Sequence, residues 1–329
     1  MNAQATQQRV TGMALGSYAT VSVVWGSTYL AIRIGVQHLP PALMGAFRFL
    51  AAGAILLSAA LVLGQRLPSR AADWRTNTIV GVLLLGVANG LVIWAEQFVA
   101  SGVAAIFVVT VSLWMALFDA IVPGSVARPT LVQVVGLLVG FAGCVLLVGS
   151  DLDALRRADW RGPLALTAAS AVWALGSVYS QRRPPQSSPY VNSALQMLAG
   201  GAALLIAGTL RAEWGRLEFT WAGTGAVLYL ILFGSIVGFT AYIYVLRHWP
   251  ATIAGTYVYL NTIVAVLLGW AVLREPITGR TVVSMVVVMA AVVVVRRARR
   301  RPDAVSRPLP RTPSAPPTWQ PQTNEVGES

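Results

Sequence analysis

The stretch FRFLAAGAILL (Phe47–Leu57) returns 148 residues later as LQMLAGGAALL (Leu195–Leu205), with six identities in eleven positions. The same ungapped offset lays Trp25 on Trp173, each after a valine (Val24 and Val172). It also lays Gly86 on Gly234 and Gly90 on Gly238. Apolar composition inflates any one of these matches. A single offset that holds from Trp25 to Gly90 is a different matter, and it marks an internal duplication. The duplicated stretch is almost wholly apolar, so the fold follows from what environment such a segment can occupy.

Outward from it, the whole chain has the same character. Hydrophobic residues make up 56% of the 329 positions and charged residues 11%, against roughly 25% charged in a soluble domain. Uncharged runs such as Thr130–Ser150 lie between short charged clusters. About 20 apolar residues in a helix match the hydrocarbon core of a bilayer. A bilayer also requires each segment to satisfy its own backbone groups, which selects helices. A membrane β-barrel needs alternating polar and apolar residues, and Val286-Val287-Val288 does not alternate. The expectation is an all-α membrane protein.

Apolar runs and their breaks predict ten transmembrane helices. The first five lie near 13–32, 42–63, 78–98, 102–122 and 130–149. The second five lie near 161–180, 190–210, 222–246, 252–272 and 280–296. Five helices per repeat is an odd number, so the second repeat enters the membrane in the opposite sense, giving two inverted five-helix repeats. The expected organisation is a cytoplasmic N-terminus (1–12), a first repeat (13–149), an extracytoplasmic connecting loop (150–160), a second repeat (161–296) and a basic, then Pro-rich tail (297–329). The tail, with seven prolines from Pro302 to Pro321, has too little apolar content to bury a core and is expected to be disordered.

All 24 basic residues are arginine. A net charge of +12 on a soluble protein would point to nucleic acid; here the arginines sit between spans and in the tail, and no nucleic-acid partner is expected. With the N-terminus in the cytoplasm, fifteen arginines fall inside and eight outside, which sets both termini on the cytoplasmic side of an inner (plasma) membrane. Arg33 follows the first apolar segment where a cleavage site would need small residues, so that segment is expected to remain as a span. Cys144 is the single cysteine, which excludes an internal disulfide. His38 and His248 fall on opposite sides and make no metal site.

Four passages carry a family likeness: WGSTYLAIRIG (Trp25–Gly35), PPALMGAFRFLAAG (Pro40–Gly53), ANGLVIWAEQFVASGVAAI (Ala88–Ile106) and YLNTIVAVLLGWAVLREPIT (Tyr259–Thr278). They resemble the drug/metabolite transporter superfamily, and within it the EamA-type exporters with two tandem domains. The resemblance covers roughly residues 13–296 and implies export of small metabolites or drugs. One departure is visible. The acidic turn Glu275-Pro276 has no acidic counterpart near Pro123-Gly124.

Charge inside a span costs roughly 2.5–3.5 kcal/mol and needs a reason. Arg48 and Glu96 are expected at similar depth, near enough to pair. Glu96 could couple export to a proton gradient, or the two could form a permanent structural bridge. Trp25 and Trp173 occupy matching positions in the first helix of each repeat, facing a shared pathway or joining an aromatic belt. Tyr244, at the repeat position of Glu96, and Tyr257 are expected on the same pathway. So are Ser27, Asn89 and Asn261, although either asparagine could instead bond a neighbouring helix. Asp119 reads as an interfacial residue. Gly86, Gly90, Gly234 and Gly238 read as close-packing positions.

No phosphate-binding loop, His-Glu-x-x-His motif or serine nucleophile elbow is present. Energy is therefore expected from an ion or substrate gradient. With the export that the family resemblance implies, the expected function is a lipid-embedded secondary transporter exporting a small-molecule substrate, with no cofactor. The alternatives are a membrane-embedded sensor or scaffold, or a lipid-modifying enzyme. Neither requires inverted halves.

Overall fold

The computed structural model describes residues 3–99, 104, 107–121, 129–148, 159–273 and 277–298. The Pro123-Gly124 and Glu275-Pro276 turns, most of the 150–160 connecting loop and the Pro-rich tail lie outside the described residues. No strand occurs among those described.

The helices, in chain order, are α1 (Ala3–His38), α2 (Pro41–Val62), α3 (Ala71–Ala95), α4 (Val111–Ile121), α5 (Leu131–Val148), α6 (Arg161–Arg182), α7 (Pro189–Leu210), α8 (Trp221–His248), α9 (Tyr257–Leu273, after one turn at Ala251–Ala254) and α10 (Gly279–Arg297). Among the described residues, six are long and apolar enough to cross a membrane: α2, α3, α6, α7, α8 and the Gly12–His38 part of α1. The apolar helices at Phe107–Ile121, Leu131–Leu146, Ala251–Ala265 and Gly279–Val295 are shorter.

Local chemistry sets the helix ends. Pro41 and Pro189 open α2 and α7 at positions that need no N–H donor. Ser188 caps α7, Thr220 caps α8, and Thr278 with Thr281 forms a capping box on α10. Just past the end of α2, Gly64 takes a left-handed φ of 76°; Ala212, at the same place after α7, is held at φ 52°.

The duplication is visible in these boundaries. Helices α2 and α7 start and stop 148 residues apart. Each third helix widens into a π-helical segment at its middle, Val82–Ala88 in α3 and Leu230–Val237 in α8, and these too start 148 residues apart. Packing is paired in the same way: α2 lies on α7 and α5 on α10. Helix α1 packs against α9 and α8, as α6 packs against α4 and α3. In membranes such contacts depend on small residues. A Cβ on Gly53 would meet the Ala194 carbonyl at 3.0 Å, and one on Gly201 would meet the Leu50 backbone nitrogen at 2.9 Å.

One tertiary cap joins the halves. Glu213, fully buried in the 3₁₀ turn after α7, accepts hydrogen bonds from the Ala42 and Leu43 backbone N–H groups (3.0 and 3.1 Å) at the start of α2. Arg211 lies 3.5 Å from its other oxygen. Nothing in the local sequence signals this remote cap. Glu213→Ala is expected to lower stability by about 1–2 kcal/mol, the cost of losing a charged N-terminal cap. A detergent thermal melt equal to wild type would contradict that role.

Candidate functional site

Where the two halves meet, they line a partly open cavity of about 70 Å³ of water-accessible space, enough for several waters. The lining follows helical periodicity. Helix α1 contributes Trp25, Thr28, Tyr29 and Ile32, spaced three and four apart on one face. Ser170 and Trp173 on α6 face it from the second half, with Tyr257 and Asn261 on α9 one turn apart. Ala88, the last residue of the π segment of α3, and Asn89 and Val92 just after it also line the cavity. Widened turns of this kind re-aim the side chains that follow and recur at functional sites.

Aromatic rings form the cavity wall. Trp25 and Trp173 meet edge to face at 5.4 Å between centroids, and Trp25 lies 5.2 Å from both Tyr242 and Tyr257. Tyr242 is fully buried beneath them, its hydroxyl accepting from Trp173 Nε1 at 3.0 Å. Trp25 Nε1 donates to the Gly234 carbonyl at 2.8 Å, within the π segment of α8. Both indoles are thus locked by a hydrogen bond as well as by ring contact. A Cβ on Gly238 would fall on the Trp25 indole, so this glycine makes room for the ring.

Arg48 reaches the cavity from α2 with 3% of its surface exposed. Its Nε donates to Ser235 Oγ at 2.8 Å and its guanidinium lies 4.7 Å from the Phe49 ring. Nη1 has no hydrogen-bond partner among the described residues. Glu96 sits one turn beyond Val92, at the cap of α3, fully buried, with neither carboxylate oxygen bonded. The expected Arg48–Glu96 ion pair is therefore not formed: Arg48 is held by Ser235 on α8. Arg33 donates to the Glu96 backbone carbonyl and, at 3.4 Å, to that of Val99.

Of the sequence candidates, Trp25, Arg48, Asn89, Trp173, Tyr257 and Asn261 come together around the cavity. The Asn261 amide, oriented by its partners, donates to Ser22 O at 2.7 Å and Tyr257 O at 3.1 Å. Glu96 stands one turn outside the lining, and two further candidates lie elsewhere. Tyr244 stacks on His248 at 4.3 Å, because two residues past Tyr242 a helix has turned about 200°. Ser27, two residues past Trp25, turns away likewise and bonds Tyr229 Oη at 2.6 Å. Asp119 is buried rather than interfacial, accepting from Thr252 Oγ1 at 3.0 Å. Sequence reasoning left out Tyr29 and Ser170. Tyr29 could have been found from its spacing of four after Trp25.

Comparison with known proteins bears on this architecture. The model of the EamA-like transporter family matches residues 12–149 and again residues 160–297. Over 256 residues the chain is 39% identical to the uncharacterized inner membrane transporter YedA of Escherichia coli strain K12, covering 77% of this chain and 81% of that protein. It is 23% identical over 260 residues to the uncharacterized transporter YoaV of Bacillus subtilis strain 168, covering 79% and 88%. A crystal structure of a protein 22% identical superposes with a TM-score of 0.70 over 88% of this chain and 99% of its own; at that identity it speaks for the fold alone. Two tandem family matches across most of a helical, membrane-suited chain lead to one conclusion: the protein belongs to the EamA-like transporter family.

Proposed function

We propose that this transporter is a secondary exporter of small amphipathic metabolites, such as amino acids or related compounds, working by alternating access. The observation that carries the reading is the cavity between the halves, walled by Trp25 and Trp173 from repeat-related positions. Ten spans in two inverted repeats of five fit the exchange of packing partners between halves, in which α1 on α9 answers α6 on α4. Such an arrangement lets the halves swap conformations and so open the cavity to either side. Both termini then lie in the cytoplasm of a bacterial inner membrane.

Glu96 is the proposed proton carrier. It is fully buried, its carboxylate oxygens are unbonded, and it stands one turn from the cavity-lining Val92. A carboxyl group so placed can take up a proton on one side of the cycle and release it on the other.

The test is the metabolite content of the medium around cells that overproduce the protein. Accumulation of one compound class supports export; uptake of that class would reverse the direction. For coupling, Glu96→Gln is expected to remove the dependence of transport rate on the pH gradient while leaving downhill exchange. An unchanged pH dependence would rule out Glu96 as the carrier.

A further inference from the structure

We infer that Arg48 is the anchor for a carboxylate on the substrate, so that the central cavity selects organic acids or zwitterions over neutral and purely cationic solutes. The inference rests on the transport reading of the same cavity.

Three observations carry it. First, the Arg48 charge lies at the cavity with no ion-pair partner among the described residues; Ser235, a neutral group, holds Nε, and Nη1 is unbonded. The Glu96 carboxylate acts on it through space without bonding it. A buried charge with no bonded counter-charge is costly, and a planar guanidinium carries a fork of N–H donors that matches a carboxylate. Second, the group is placed, not mobile: Ser235 and the Phe49 ring fix it, and Gly234 leaves space for Nη2, since a Cβ there would lie 2.8 Å away. Third, the second half has no equivalent. Gln196 occupies the repeat position of Arg48 and donates to Asn77 Oδ1 at 2.9 Å in a buried amide network. The duplicated scaffold therefore tolerates a neutral residue here, so bundle assembly alone does not account for an arginine.

The rest of the cavity completes the recognition. Asn89 also lines it, and its buried, unpartnered Oδ1 would accept an N–H from the substrate after a turn of the amide. The faces of Trp25, Trp173 and Tyr257 suit an apolar or cationic body.

The test uses purified full-length protein in detergent near neutral pH and three pairs of probes. They are 3-phenylpropanoate with 3-phenylpropanamide, 4-methylpentanoate with 4-methylpentanamide, and L-phenylalanine with L-phenylalaninamide. Binding is read from thermal stabilisation and tryptophan fluorescence. In at least one pair the acid is expected to bind about tenfold or more tighter than its amide. Arg48→Gln should erase that difference by weakening the acid alone, and Arg48→Lys should keep part of it. Equal affinity within every pair, no binding by any acid, or an acid preference that survives Arg48→Gln would overturn the proposal. If Arg48→Gln does not fold, the wild-type pairs decide by themselves. The outcome is separable from the transport reading. Acids that bind but never cross a proteoliposome membrane would sink transport alone, whereas export of solutes without a carboxylate, with no acid bound, would sink this proposal alone.

Discussion

Trp25→Ala is expected to lower the initial transport rate by about thirtyfold or more, the scale of losing a central aromatic anchor worth roughly 2 kcal/mol. The indole does two jobs. Its ring touches Trp173, Tyr242 and Tyr257 at centroid distances of 5.4, 5.2 and 5.2 Å. Its N–H satisfies the Gly234 carbonyl in the π segment of α8. Alanine removes both the wall of the cavity and the link from α1 to that segment. Trp173→Ala should act comparably, freeing the Tyr242 hydroxyl from one of its partners. Trp25→Phe separates the two jobs, since it keeps a ring and loses the donor, and should fall between alanine and wild type. Rates are compared at matched amounts of protein in the membrane. Alanine variants at wild-type rates would place the substrate path elsewhere.

Gly81→Ala should abolish folded protein. A Cβ at Gly81 would fall on the Gln196 carbonyl oxygen, backbone of α7. From the other side, a Cβ at Gly200 would lie 2.7 Å from the Gly81 carbonyl oxygen and 2.5 Å from Leu85 Cβ. Backbone cannot rotate out of the way as a side chain can, so α3 and α7 must separate along their contact, at a cost of about 3 kcal/mol or more. The same separation would disturb the Asn77–Asn192 hydrogen bond of 2.9 Å between these helices. Gly225→Ala is the control: no atom lies within 4 Å of its added Cβ, and the variant should behave as wild type. Size-exclusion profiles and yield in detergent decide; a monodisperse Gly81→Ala protein would contradict the close approach.

The sequence made the duplication readable because Trp25, Gly86, Gly90 and the Phe47–Leu57 stretch keep one register with their partners. That register also relates the π segments, yet their presence was not legible: VLLLGVA and LILFGSIV are plain apolar runs with no local mark of a widened turn. Trp25 and Trp173 were readable as a pair because they share a register position and lie deep in apolar runs. Tyr244 was misplaced because the repeat offset fixes depth along a helix and says nothing of which face a residue presents. The same gap explains Arg48 and Glu96. They were expected at one level, but Ser235, on a helix distant in sequence, takes the guanidinium. The Glu213 cap was out of reach for a related reason, since its partners at Ala42 and Leu43 lie some 170 residues away.

The most direct test of alternating access exploits the single native cysteine. In a Cys144→Ala background, Asn89→Cys places one thiol at the cavity. A membrane-impermeant maleimide is then applied to right-side-out and to inside-out vesicles. Alternating access predicts labelling of that thiol from both faces. Labelling from one face only, under every gradient applied, would contradict it.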